Sequence, residues 1–146
     1  MSDLIRQDGQ TIAQSWTGDL LELDDAVIAV SGASGLIGRH IVSLLLALSE
    51  MYGTKTTVIA LGRRLDTLQS VFTPWLPDQR FQLRQANPSE GESWPPEATH
   101  LIQAASPATP GVFATDPVGV IRANVLGMLS ALDCAAANGS YLSFIS

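Results

Sequence analysis

The stretch that decides the fold is AVIAVSGASGLIG at residues 26–38. Its first five residues form an apolar run without alternation, typical of a parallel strand that is covered on both faces. Three glycines follow at intervals of three residues, at Gly32, Gly35 and Gly38. Beyond Gly35 the apolar residues fall on one broad helical face. The stretch therefore predicts a buried strand, a glycine-rich turn and an amphipathic helix.

Each glycine has a physical role at this spacing. Gly32 lets the chain leave the strand in a tight turn, Gly35 leaves room for a pyrophosphate, and Gly38 lets the helix pack closely on the strand. The N–H groups of Gly35, Leu36 and Ile37 are predicted to face the anion, and the helix dipole favours negative charge there by roughly 0.3–1 kcal/mol. The motif is GxxGxxG, and no GK[ST] follows it, so it is not a P-loop.

The strand–loop–helix context favours a dinucleotide-binding loop over a glycine-rich turn that binds nothing. The predicted cofactor contacts in this loop are Gly32, Ser34, Gly35, Leu36, Ile37 and Gly38.

Strand-like and helix-like segments alternate along the rest of the chain. Further strands are predicted at 57–61, 81–85, 100–105 and 141–145, and further helices at 65–72 and 116–138. This order predicts an α/β fold: a Rossmann-type doubly wound parallel sheet, truncated after the fifth strand. The strand at 81–85 alternates apolar and polar residues, which places it near a sheet edge. Residues 25–146 form this domain, and residues 1–24 are predicted to be an N-terminal arm on the outside of the sheet, its helical pattern interrupted at Gly9.

The composition limits the classes of function. The chain has 146 residues, a net charge of −6 and 46% hydrophobic residues, so it is expected to be one globular domain that does not bind nucleic acid. Its start lacks the features of a signal peptide, and no apolar stretch reaches membrane-spanning length. A cytoplasmic protein with no membrane partner is the expectation. Cys134 stands alone and neither histidine has ligands at metal-binding spacing, so no metal site is predicted.

The end of the second predicted strand indicates which dinucleotide binds. Arg63 and Arg64 follow this strand, and no carboxylate occurs before Asp66. A carboxylate would bind a free ribose 2′-hydroxyl, whereas a guanidinium would hold a 2′-phosphate. The pattern favours NADP(H) over NAD(H) as the NAD(P) cofactor; the alternative is a solvated arginine pair that contacts no phosphate.

Four stretches resemble the extended short-chain dehydrogenase/reductase family, the group of nucleotide-sugar epimerases, dehydratases and decarboxylases. SGASGLIG is similar to the family's TGxxGxxG loop, with Ser31 in place of Thr. QAN at 85–87 resembles the end of the third strand, and the resemblance implies that Asn87, in place of Asp, contacts the adenine. LIQAAS at 101–106 resembles VIHxAA, with Gln103 in place of His. The resemblance implies that the small residues there lie beside the nicotinamide ribose: Ala104, Ala105 and Ser106.

The fourth stretch, residues 107–127, resembles the loop and helix of the UDP-glucuronate decarboxylase branch. This implies that the loop at 107–112 borders a sugar-nucleotide site. It also implies that Asn124 belongs with the cofactor-binding residues and supports the active-site architecture. The alternative for Asn124 is a helix residue with a satisfied amide.

The resemblance also implies where catalysis takes place. In the family a Ser or Thr follows the fifth strand, and a Tyr-x-x-x-Lys pair lies on the next helix. No such pair occurs in this chain, so no catalytic residue is assigned, Ser146 included, and the catalytic groups are expected after Ser146, leaving this portion inactive by itself.

Three functions remain open at this point. The first is the cofactor-binding portion of an enzyme that takes a nucleotide-sugar substrate in its full-length form. The second is a non-catalytic NADP(H) sensor or regulatory module, and the third is a domain that binds no dinucleotide and only mediates interactions. An unpaired fifth strand also predicts a homodimer.

Overall fold

A five-stranded, all-parallel sheet forms the centre of the protein in a computed structural model that describes residues 2–87, 94–107 and 110–145. The strands are β1 (Val27–Ser31), β2 (Thr57–Gly62), β3 (Phe81–Gln85), β4 (His100–Gln103) and β5 (Tyr141–Phe144). Their order is β3-β2-β1-β4-β5. This order confirms the predicted Rossmann-type sheet, with β3 at one edge and β5 at the other.

Helices cover both faces of the sheet. They are α1 (Ser2–Gln14), α2 (Leu36–Tyr52), α3 (Leu65–Phe72), α4 (Pro110–Thr115) and α5 (Pro117–Asn138). Ile28 and Val30 of β1 pack in one core cluster with residues of α2 and α3, whereas Ala29 packs in a second cluster with Ala131 of α5. Because successive side chains of β1 enter opposite cores, the strand is apolar throughout, as its sequence predicts.

The ends of α5 follow its sequence signals. Asp116 caps the helix by accepting a hydrogen bond from the Gly119 N–H at 2.9 Å, and Pro117 takes the first helical position. Gly139 ends the helix in the left-handed conformation, with φ of +67°. The short helix α4 just before Asp116 was not predicted. Residues 88–93 and 108–109 of the predicted loops, as well as Ser146, lie outside the described residues.

The N-terminal segment forms a continuous helix that packs on α2, and the predicted interruption at Gly9 is wrong. Gly9 is the contact point between the helices, because a Cβ there would lie 2.8 Å from the carbonyl carbon of Ser43. The buried Ser43 hydroxyl donates a 2.8 Å hydrogen bond to the Ile5 carbonyl. Close approach of two backbones, rather than a break in the helix, explains this glycine.

An ion pair and a hydrogen bond link the C-terminal end of α2 to the segment that precedes β3. The Arg80 guanidinium donates to both carboxylate oxygens of Asp78, at 3.1 and 3.0 Å, and to the Ser49 hydroxyl at 3.0 Å. The side-chain hydrogen bond from Arg80 lowers the pKa of Asp78. Because Arg80 immediately precedes β3, this cluster lies at the amino edge of the sheet, away from the glycine loop.

Helix α5 leaves an apolar face exposed. Among the described helices it alone is long and apolar enough to cross a membrane by length and composition, with a mean hydropathy of 1.4 over its best window. Its other face packs on β4 and β5. The exposed apolar residues recur at helical spacing: Val118, Ile121, Val125, Leu129 and Leu132. These five side chains form an apolar stripe along the exposed side of the helix.

The contact at Gly9 leads to a test of the α1–α2 packing. Gly9→Ala raises helix propensity, yet the added methyl group meets the Ser43 backbone, so we expect unfolding free energy to fall by about 1–3 kcal/mol. Gly111→Ala is the control, because a Cβ there meets nothing within 4 Å; it is expected to be neutral or to stabilise by up to about 1 kcal/mol. Urea unfolding measures both. Equal stability of the two variants would show that α1 does not pack closely on α2.

Candidate functional site

The predicted site residues that follow β1 to β4 all lie at the carboxyl edge of the sheet. Backbone hydrogen bonds join the strand ends there: the Ala33 N–H donates to the Leu61 carbonyl at 3.2 Å, and the Ala86 N–H donates to the Gly62 carbonyl at 3.0 Å. Since β1 pairs with both β2 and β4, the chain crosses to opposite sides of β1 at this edge. A crevice at such a topological switch point is where open α/β sheets bind ligands.

Two of the three glycines stand where a side chain has no room. Gly32 has a φ of +65°, and a Cβ on it would lie 2.7 Å from the Ala105 Cα. A Cβ on Gly38 would lie 2.9 Å from the Ala33 Cα. The glycine loop is therefore held between the end of β4 and the first turn of α2, with backbone against backbone.

The middle glycine has open space above it. A Cβ on Gly35 would meet only the Gly32 carbonyl oxygen, at 3.1 Å, and Gly35 is exposed to solvent. Leu36 and Ile37 are also exposed, at 67% and 54%. Among the described residues, no side chain fills the space over the loop.

The prediction that the Gly35 N–H is free for an anion is wrong. This N–H donates to the Gly32 carbonyl at 2.9 Å, because the turn closes before the helix begins. Leu36 and Ile37 lie in the first turn of α2, where backbone N–H groups have no intrahelical acceptor. These two N–H groups and the helix dipole remain as the anion-binding elements of the loop.

The end of β2 carries two exposed guanidinium groups. Arg63 and Arg64 follow Gly62, and no carboxylate within the described segments pairs with either of them. The nearby Asp66 carboxylate accepts the Thr67 N–H at 2.7 Å, in the first turn of α3. Both guanidinium groups are therefore exposed at the carboxyl end of β2, on the same edge of the sheet as the glycine loop.

The remaining predicted residues divide into two groups. Ser34 is half-buried within the glycine loop, Asn87 is half-buried just after β3, and residues 104–106 run beside Gly32 with Ser106 exposed. Residues 104 and 105 lie against Gly32, and Asn87 follows β3 at the same edge of the sheet. Asn124 is half-buried in the third turn of α5, and its amide makes no hydrogen bond within the described part of the chain. The place of Asn124 among the cofactor-binding residues stays a prediction.

Sequence reasoning missed a buried polar pair below the loop. The side chains of Ser31 and Gln103 are hydrogen-bonded, and both residues are fully buried. Gln103 replaces the family's His, and its polar role could not be inferred from that replacement. The available signal was a polar residue at the end of each strand, Ser31 after an apolar run and Gln103 after Leu101 and Ile102.

A histidine of α2 links the first turn of that helix to α1. The Nδ1 of His40 lies 2.7 Å from the Leu36 carbonyl oxygen, and its Nε2 lies 3.3 Å from an Asp8 carboxylate oxygen. This histidine is therefore a structural link between helices. Within the described segments, no three His, Cys, Asp or Glu side chains could hold a metal ion together.

The sheet topology and the glycine loop define the class of a dinucleotide-binding α/β domain. Residues 28–146 match the model of the NAD dependent epimerase/dehydratase family. The chain belongs to this family, within the extended short-chain dehydrogenases/reductases.

Known proteins agree with this assignment. UDP-glucuronic acid decarboxylase 5 of Arabidopsis thaliana is 29% identical over 119 residues, which is 82% of this chain and 33% of that protein. The structure of Pen from Bacillus thuringiensis superposes with a TM-score of 0.69 at 14% identity, covering 84% of this chain and 38% of that one. Yeast methylglyoxal/isovaleraldehyde reductase Gre2, complexed with NADPH, superposes with a TM-score of 0.61 at 20% identity, covering 81% and 36%. The chain thus spans about a third of the length of such relatives.

The glycine geometry makes a stability prediction that needs no ligand. Gly38→Ala places a methyl group against the Ala33 backbone and is expected to lower the unfolding free energy by about 1–3 kcal/mol. Gly35→Ala, the matched control one turn earlier, is expected to change it by less than about 1 kcal/mol, because its φ of −69° suits alanine. Chemical denaturation measures both variants. A Gly35 variant as unstable as the Gly38 variant would contradict an open loop.

Proposed function

We propose that this chain is the dinucleotide-binding portion of an NAD(P)-dependent nucleotide-sugar epimerase, dehydratase or decarboxylase. The observation that carries the proposal is the open space at Gly35, directly over the two N–H groups that begin α2. A nucleotide-sugar substrate for the longer protein is supported by the similarity to the plant decarboxylase. By itself this portion is proposed to bind cofactor without turning over substrate.

The strand order suggests how the dinucleotide would lie. Its pyrophosphate would accept hydrogen bonds from the N–H groups of Leu36 and Ile37, above the end of β1. The adenosine would extend over β2 and β3, toward Arg63 and Asn87. The nicotinamide half would then extend the other way, over β4 and residues 104–106. When bound, the nicotinamide would supply a hydride acceptor or donor; this chain's residues would bind and orient it.

The two arginines support NADP(H) as the preferred cofactor. Arg63 is exposed directly after β2, and no carboxylate is seen to compete for it among the described residues. A guanidinium binds a 2′-phosphate by charge-assisted hydrogen bonds, whereas it gains less from a neutral 2′-hydroxyl.

A non-catalytic NADP(H) sensor is the second candidate, because the chain carries the glycine loop but no Tyr-x-x-x-Lys pair. Coding sequence downstream of Ser146, where it exists, separates the two. A Tyr-x-x-x-Lys about one helix beyond Ser146 supports the enzyme, since that pair would carry the proton transfer.

Cofactor preference is tested by parallel calorimetric titration with NADP⁺ and NAD⁺. We expect NADP⁺ to bind more tightly, and Arg63→Ala to weaken NADP⁺ about tenfold or more while changing NAD⁺ by no more than about twofold. The control is Arg6→Ala, since Arg6 lies on α1 and pairs with Glu50 near the far end of α2, at 3.9 Å. Equal losses for both cofactors would refute the role of Arg63. Failure of the unmodified chain to bind either cofactor would refute the proposed function.

The partners beyond the dinucleotide are also proposals. We propose that this chain forms a homodimer, supported by the edge position of β5 and by the exposed apolar face of α5. A cytoplasmic location is proposed from composition.

Sedimentation velocity over a concentration series tests the dimer. We expect the sedimentation coefficient to rise with concentration. Two variants locate the contact: Phe144→Pro removes an outward-facing donor from the β5 edge, since the alternate residues Tyr141 and Ile145 donate to the β4 side, and Leu129→Asp charges the exposed face of α5. Gln69→Asp on exposed α3 is the control for added charge. A monomer at all concentrations would contradict the homodimer.

A further inference from the structure

The Ser31–Gln103 pair uses nearly all of its hydrogen-bonding capacity within the protein. The Ser31 hydroxyl donates to the Gln103 Oε1, and its oxygen accepts from the N–H groups of Ala104 and Ala105, at 3.2 and 3.3 Å. The Gln103 Nε2 donates to the Ala105 carbonyl at 3.2 Å. Three backbone groups that have left β4 are therefore held by two side chains that are both fully buried.

This network fixes how closely the segments that leave β1 and β4 approach each other. Ser31 and Gln103 are register partners on β1 and β4, and the next residues of the two segments pack directly together. A Cβ on Gly32 would lie 2.7 Å from the Ala105 Cα. A hydrogen bond between the last residues of both strands thus holds residues 104 and 105 against the glycine loop. Buried pairs of this kind act in low dielectric and are costly to break.

We propose that Ser31 and Gln103 are positioning residues for the nicotinamide half of the dinucleotide. This inference rests on the proposed function. With the pyrophosphate over β1 and the adenosine over β2, the order β2-β1-β4 leaves only the β4 side for the nicotinamide half. The network holds residues 104 and 105 on that side, and among the described residues none of its hydrogen bonds reaches β2. Loss of the network should therefore weaken binding of the nicotinamide half and leave binding of the adenosine half unchanged.

Two ligands separate the halves: NADPH, which carries both, and adenosine 2′,5′-bisphosphate, which lacks the nicotinamide half. Ser31→Ala removes the hydroxyl and leaves the N–H groups of Ala104 and Ala105 without their acceptor. We expect it to weaken NADPH about tenfold and to change bisphosphate affinity by less than twofold. Ser31→Thr keeps the hydroxyl and is expected to restore NADPH affinity.

A matched control and a second variant keep the test decisive. Ser43→Ala removes another buried serine hydroxyl, on the α1 side of α2, and is expected to lower stability without changing the ratio of the two affinities. Gln103→Met keeps a side chain of similar length but removes the amide. It is expected to weaken NADPH binding selectively in the same way. It serves as the test variant if Ser31→Ala does not fold.

The outcomes distinguish this inference from the function on which it rests. If the unmodified chain binds both ligands and the variants weaken both equally, or neither, the positioning role is overturned while dinucleotide binding stands. If Ser43→Ala shifts the ratio as strongly, the effect is one of general stability and the inference is again overturned. If the unmodified chain binds neither ligand, both proposals fall.

Discussion

The site depends on one steric constraint, the close approach of three backbone segments at the glycine loop. The end of β4 approaches Gly32 so closely that a methyl group would lie 2.7 Å from the Ala105 Cα. The first turn of α2 presses on the same loop at Gly38. Because both contacts exclude side chains, the N-terminus of α2 is brought directly over the end of β1. The open space at Gly35 exists only because the glycines on either side of it are so tightly packed.

The charge at the carboxyl edge of the sheet differs in sign from the net charge of the whole protein. The net charge is −6, which would repel an anionic ligand at long range. At the crevice, the N–H groups that begin α2 and the guanidinium groups after β2 supply local positive potential. Among the described residues, Asp66 is turned to the Thr67 N–H, so the nearest carboxylate in sequence is engaged with its own helix. An acidic protein can therefore offer an anion site at a single sheet edge.

The fold could be predicted from the sequence because its signals are local. The apolar run at 26–30, the cap at Asp116 and the terminal Gly139 each act within a few residues. Errors arose where the explanation lies far away in the chain. Gly9 is explained by Ser43 in another helix, and Gln103 by Ser31 across the sheet, 72 residues earlier. The Gly35 N–H donates to the Gly32 carbonyl, three residues earlier, and is not free for an anion. Residue types do not reveal this detail of turn closure.

On the proposed function, the described residues would supply only part of what an enzyme of this kind needs. They provide anion-binding amides, guanidinium groups and a floor of small residues, but no metal cluster within the described segments. Groups of this kind bind and orient a cofactor; proton transfer needs a titratable pair beside the substrate. On the proposed function, reactions that share hydride transfer would share a portion like this one and differ in the groups that meet the sugar. On the proposed function, precise cofactor placement is the property that this portion would have to supply, and the buried hydrogen-bonded pair at the strand ends would supply it with little dependence on solvent or salt.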